Sequence, residues 1–227
     1  MYKYSKLIFD ADNTLFDFDR AEEVALVKSL AHFKLPEPTG LIDYYRTMNV
    51  ALWQQLDAKT ITIAQLKQQR AEQLFEFVGQ SADPALFSVH YLDELAKCQF
   101  LLEHVEQTLN HLSKHCEMAI ITNGLQRVQK PRLANSSIHQ HFGAVVISEE
   151  LGVAKPDAEI FAHTFGLMNW SDPSEVLMVG DNYRCDVQGA ANFGMQTCWF
   201  NIRKITHGYS THDYEIENFN QLMDHLR

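Results

Sequence analysis

Four short polar clusters hold the side chains best equipped for chemistry: Asp10-Ala11-Asp12-Asn13-Thr14, Thr122-Asn123-Gly124, Lys155-Pro156, and Gly180-Asp181-Asn182 with Asp186. Asp10 and Asp12 stand two residues apart. One carboxylate can attack an electrophile while its neighbour moves the proton that a leaving group or a water requires. Asp10 and Asp181 offer hard oxygen donors of the kind that hold a small divalent cation. The Thr122 hydroxyl, Asn123 and the Lys155 ammonium are donors suited to fixing the oxygens of an anion. Taken singly, each cluster is also ordinary turn or helix-cap chemistry. The weight lies in their joint occurrence and order.

Such clusters need elements that deliver them to one place. Lys6-Leu7-Ile8-Phe9 is a short apolar run ending on Asp10, the pattern of a buried strand with polar groups at its carboxyl end. Met118-Ala119-Ile120-Ile121, Ala144-Val145-Val146-Ile147, Val176-Leu177-Met178-Val179 and Thr197-Cys198-Trp199-Phe200 are further runs of strand length, separated by helical segments. This alternation predicts parallel strands with helices on both faces. Ligands of such sheets bind beyond the carboxyl ends of the strands, where all four clusters fall.

Between Asp19 and about Leu101 the pattern is helical throughout. Asp19 with Glu22 has capping-box spacing, and the periodicity that follows stops at Pro36 and Pro38. A second stretch runs from about Leu41 to Leu56. Thr62 with Gln65 opens a third, which Gly79 ends, and Pro84 begins a fourth. Another helix is expected from about Glu103 to Lys114, and Pro131 is expected to kink or restart the helix after Thr122-Asn123-Gly124. The predicted fold is α/β: a Rossmann-like parallel-sheet core, residues 1–16 and 99–227, with an inserted α-helical cap, residues 17–98.

Composition bounds the function. With 46% apolar and 21% charged residues the chain is no disordered polymer, and its net charge of -10 opposes binding to a nucleic-acid backbone while leaving room for a small anion in a local pocket. No run reaches the roughly 20 apolar residues that span a bilayer. Met1-Tyr2-Lys3-Tyr4-Ser5-Lys6 leads straight into the first strand, and Cys98, Cys116, Cys185 and Cys198 lack CxxC spacing and are expected to be free thiols. The expectation is a cytoplasmic protein without membrane or polymeric nucleic-acid partners, a monomer or a weak homodimer.

The four clusters, in this order, resemble the motifs of the haloacid dehalogenase superfamily: a DxDxT loop, a Thr/Ser, a Lys and a GDxxxxD segment. The resemblance covers essentially the whole chain, including a helical cap inserted after the first motif. The segments Ile147-Ser148-Glu149-Glu150-Leu151-Gly152-Val153-Ala154-Lys155-Pro156-Asp157 and Thr197-Cys198-Trp199-Phe200-Asn201 are similar to the bacterial pyrimidine 5'-nucleotidases within it.

That resemblance implies a phosphoric monoester hydrolase acting on a small phosphomonoester, a nucleoside 5'-monophosphate, with Mg2+ as cofactor and Mn2+ as a substitute. Asp10 would be the nucleophile that forms an aspartyl-phosphate, and Asp12 the general acid and then the base. Thr122, Asn123 and Lys155 would bind the phosphoryl oxygens. Asp10, Asp181 and the Asp12 backbone carbonyl would hold the metal, with Asp186 orienting a metal-bound water or Lys155 and Thr14 tying down the loop. Sugar-phosphate and phosphoglycolate phosphatases share the motifs. So do the 2-haloacid dehalogenases, but a halide leaving group needs neither an acid nor a metal, so Asp12, Asp181 and Asp186 argue against that reaction.

Other features have plainer readings. His111 and His115, four apart on a helix, lack a third ligand and suit a solvated face; Cys185 suits packing. Among Phe16, Phe18, Tyr44, Tyr45 and Trp53, most are expected in the core, with Trp53 the candidate to face a substrate base.

Overall fold

A computed structural model describes residues 2–206, 208 and 211–226. The central strand β1 (Lys6–Phe9) has Leu7, Ile8 and Phe9 fully buried. It is flanked by β2 (Glu117–Thr122) and β4 (Val176–Gly180), with β3 (Ala144–Ile147) beyond β2, and β5 (Gln196–Phe200) and β6 (Tyr214–Ile216) beyond β4. All five pairings are parallel, in the order β3-β2-β1-β4-β5-β6. The chain runs outward from β1 to β3 and then crosses back to β4, so β1 and β4 flank the point where strand order reverses.

The strand period of two divides the core between the faces. Leu7, Phe9, Met118, Ile120, Leu177 and Val179 pack against Val105, Leu109 and Leu112 of α5 (Val105–Leu112) and against Phe219 and Leu222 near the C-terminus. Ile8, Ala119, Ile121 and Met178 meet Ile160, Phe161 and Phe165 of α8 (Ala158–Met168) on the other side. Truncating a ring at the centre of this sandwich, Phe9→Ala, removes contacts worth about 3–5 kcal/mol.

The five predicted strands are all present. β6 is an addition: three residues with an exposed Glu215 give no apolar run to detect.

The chain divides into two compact units, residues 1–18 with 99–227, and residues 19–98. The second is helical: α1 (Phe18–Phe33, its first residue lying in the other unit), α2 (Leu41–Asp57), α3 (Ile63–Val78) and α4 (Pro84–Ala96). Thr62 and Gln65 form the expected capping box, Gly79 ends α3 in the left-handed conformation, and Asp83 caps the helix that Pro84 begins. α1 starts one residue ahead of Asp19, and Glu22 is buried, its carboxylate accepting from Asn49 at 2.7 Å. No helix among the described residues is long and apolar enough to cross a membrane.

Candidate active site

The first and fourth motifs leave the sheet side by side. The Asp10 N–H donates to the Val179 carbonyl at 2.9 Å, extending the β1–β4 ladder to the residue before Gly180. The buried Thr14 hydroxyl accepts from the Asp181 N–H at 3.1 Å, and the Trp199 indole N–H donates to the Asp181 carbonyl at 2.9 Å. Both backbone groups of Asp181 are thereby fixed, one by the loop after β1 and one by a side chain of β5. Gly180 has no side chain for a steric reason: a Cβ there would lie 2.3 Å from Asp186 Oδ2.

Asp186 lies in a turn of π-helix, Tyr183–Gln188, capped by Asn182. Its Oδ2 accepts from the Asn182 N–H at 3.0 Å.

Lys155 is buried among these groups. Its Nζ contacts Asp10 Oδ1 at 2.6 Å and Asp186 Oδ1 at 2.7 Å, and donates to the Ile121 carbonyl at 2.8 Å. The Asn123 carboxamide places it by pairing with the Lys155 backbone in both directions, 2.9 Å each way. Ligand atoms of Asp10, Asp181 and Asp186 all lie within 4.8 Å of one another.

Asp10 and Asp186 thus share the Lys155 ammonium, with Asp181 beside them. Burial pushes the Asp10 carboxyl up to about 7 against the pull of Lys155, with Asp186 adding to the rise. Asp181 is held well above the usual carboxylate range by burial and by Asp10 and Asp186. Burial would lower Lys155, but Asp10 and Asp186 outweigh it and raise that group. The raised values of Asp10 and Asp181 show three carboxyls held too close to be charged together without a further cation, and a divalent ion with its preference for hard oxygens would favour their charged forms.

Three of the expected site residues take the following places. Asp186, expected to orient a metal-bound water or Lys155, contacts Lys155 and lies within the acidic trio. The Asp12 carboxylate, expected as general acid and base, stands apart from the trio: Oδ2 accepts from Gln129 Nε2 at 2.7 Å and Oδ1 from Arg132 Nη2. Asn123, expected to serve an anion through its backbone or its amide, has that amide engaged with the Lys155 backbone. Thr122 is buried beside it, its hydroxyl accepting from the Gly124 N–H at 3.0 Å.

Gln129 and Arg132, both buried on α6 (Gln126–Ala134), were not foreseen. Their only sequence signal is polar residues at i and i+3, which describes a solvated helix face equally well. Pro131 lies inside α6 and does not divide it.

The aromatics are dispersed. Phe16 is buried under the Arg132 guanidinium at 4.5 Å, Tyr44 stacks on Phe77, Tyr45 meets Tyr91 edge-on inside the helical unit, and Phe18 and Trp53 are half-buried. Tyr2 lies against both His111 and His115, and its hydroxyl is 2.6 Å from His111 Nε2. Cys185 is buried, and none of the four cysteines is joined in a disulfide.

Residues 6–194 match the family of haloacid dehalogenase-like hydrolases. The chain belongs to that family. It is therefore a hydrolase, and long alignments join it to 5'-nucleotidases. It is 34% identical over 225 residues, 98% of this chain and 95% of the other, to the pyrimidine 5'-nucleotidase PynA of Streptococcus pneumoniae. It is 32% identical over 199 residues, 88% and 87% of the two chains, to the pyrimidine 5'-nucleotidase YjjG of Escherichia coli. Among solved structures, the HAD-hydrolase YfnB of Bacillus subtilis bound to magnesium superposes with a TM-score of 0.89 at 28% identity, covering 97% of each chain.

Proposed function

We propose that this haloacid dehalogenase-like hydrolase is a Mg2+-dependent phosphomonoesterase acting on nucleoside 5'-monophosphates, pyrimidine ones foremost, through a phosphorylated Asp10. The observation that carries the chemistry is Asp10 at 2.6 Å from Lys155 within the Asp10, Asp181 and Asp186 trio. The substrate class follows the two nucleotidases aligned over most of the chain.

Asp10 and Asp181, with the Asp12 backbone carbonyl, would hold the cation, while Asp186 keeps Lys155 and the Asn182 loop in place. Bound Mg2+, or Mn2+ in its stead, screens the anionic ester from the attacking carboxylate and favours that carboxylate's charged form. An Asp10 oxygen attacks phosphorus, the bond to the leaving oxygen breaks, and Asp12 gives that oxygen its proton. Asp12 then takes a proton from water as the water oxygen attacks phosphorus. The bond from phosphorus to Asp10 breaks, releasing inorganic phosphate and restoring both aspartates. The Thr122 hydroxyl, the Asn123 N–H and the Lys155 ammonium fix the phosphoryl oxygens. Residues 19–98 would discriminate the ester's organic part, with Trp53 a candidate contact, since the motif loops offer groups for phosphate and metal alone.

A panel of nucleoside monophosphates, sugar phosphates, phosphoglycolate and a 2-haloacid, assayed for kcat/KM with Mg2+ and with EDTA, tests this. Nucleoside 5'-monophosphates should lead and EDTA should abolish turnover. A sugar phosphate or phosphoglycolate in first place, or haloacid turnover indifferent to EDTA, would overturn it.

A further inference from the structure

Asp12 is held by a hydrogen-bond chain whose polarity has one solution. Arg132 can only donate. Its Nη2 donates to Gln129 Oε1 at 2.8 Å and to Asp12 Oδ1. With its oxygen engaged by Arg132, the Gln129 amide must present Nε2 to Asp12 Oδ2, at 2.7 Å. Both Asp12 oxygens are therefore acceptors. The guanidinium is fully buried against the Phe16 ring, its Nε and Nη1 have no hydrogen-bond partner, and Asp12 is the carboxylate paired with it. Gly124 makes room for the chain: a Cβ there would lie 2.1 Å from Gln129 Nε2 and 2.9 Å from its Cδ.

We propose that Gln129 and Arg132 are positioning residues for Asp12, holding its carboxylate in the one orientation from which it reaches the leaving oxygen of an arriving ester. The inference rests on the phosphomonoesterase reading for its kinetics but not for its energetics. A buried cation with one anionic partner couples the two residues in folding as well as in catalysis.

Two variants test it kinetically, with single-turnover phosphorylation followed in Mg2+ for an aryl phosphate and for an alkyl phosphate such as a nucleoside 5'-monophosphate. Gln129→Leu removes the amide. Gly124→Ala displaces the same amide without deleting any polar group, because the clash falls on a flexible side chain. Both should slow the alkyl ester at least about tenfold more than the aryl ester, whose leaving oxygen scarcely needs a proton. An equal loss for both esters, or no loss, overturns the positioning role.

Arg132→Met supplies a readout without turnover. In urea unfolding, Asp12→Asn should lower the midpoint of the wild type and leave that of the Arg132→Met background nearly unchanged; additive shifts overturn the pairing. If no nucleoside monophosphate is hydrolysed, the substrate assignment falls alone: the unfolding cycle still decides the pairing, and another alkyl phosphate that is turned over decides the kinetics.

Discussion

At the strand ends of the sheet unit, Asp10 and Asp186 contact the Lys155 ammonium and Asp181 lies beside them. Inside the helical unit the balance is the reverse. One buried carboxylate, Glu22 on α1, accepts from Asn49 of α2 and lies 3.7 Å from Arg46, while Arg70 of α3 donates to Asn49 at 3.4 Å and covers the Tyr91 ring. Both places bury charge, and in both a carboxyl is pushed up to about 7, Asp10 in one and Glu22 in the other. Burial and a displaced pKa therefore do not distinguish a reactive site from a structural one. The sum of charge does: the sheet unit has carboxylates to spare at the ends of its strands, whereas the helical unit surrounds its carboxylate with donors from its own helices.

That contrast predicts unequal responses to removing one charge. Asp10→Asn should abolish turnover, by at least about 10^4-fold in kcat, while leaving the fold intact, as measured by steady-state kinetics and circular dichroism. Asp181→Asn should cost on the order of a thousandfold at fixed Mg2+. It should also raise the melting temperature of metal-free protein, because it relieves repulsion within the trio. Mg2+ at about a hundredfold excess over its dissociation constant should raise the wild-type melting temperature by about 5–10 °C, and this increment should vanish in Asp181→Asn. A metal-free variant less stable than the wild type would mean that the trio is already balanced.

In the helical unit, Glu22→Gln should change kcat by less than about threefold. Its effect belongs to pH. Burial raises the Glu22 carboxyl from 4.5 to about 7, against the pull of Asn49, Arg70 and Arg46. The stability it lends is full below the unfolded value and is lost as pH rises through about 7, an amount of about 3 kcal/mol at most. Urea unfolding of the wild type between pH 4.5 and 8 should show that loss at saturating Mg2+, and Glu22→Gln should not. The smallest expected effect is that of Trp53→Ala: a changed ranking among phosphomonoesters, with little change for acetyl phosphate. A common factor for every substrate would make Trp53 a packing residue.

The sequence made the strands legible because parallel strands buried on both faces leave continuous apolar runs, and Leu7, Ile8 and Phe9 are such a run. Caps were legible where a local bond defines them, as between Thr62 and Gln65. The clusters at Asp10, Thr122 and Asp181 were legible for the same reason, since each hangs on a single strand terminus. Contacts made across distant segments were not. The pairing of Asp12 with Gln129 and Arg132 spans 117 and 120 residues, and Asn123 meets Lys155 across 32. Asp186 enters the trio through a π turn that its spacing from Asp181 does not announce. Glu22 has capping-box spacing in the sequence, yet its carboxylate is bonded to the next helix.

The central claim is that the unbalanced carboxylate at the end of β1 makes a covalent bond to phosphorus. Rapid acid quench of wild-type protein during turnover of a nucleoside 5'-monophosphate with Mg2+, followed by mass spectrometry of the peptide that carries Asp10, measures it directly. The account predicts a phosphoryl group on Asp10 that forms within one turnover, decays as inorganic phosphate appears, and is absent when Mg2+ is chelated. Turnover at the full rate with Asp10 unmodified, or with the phosphoryl group on another residue, would contradict it.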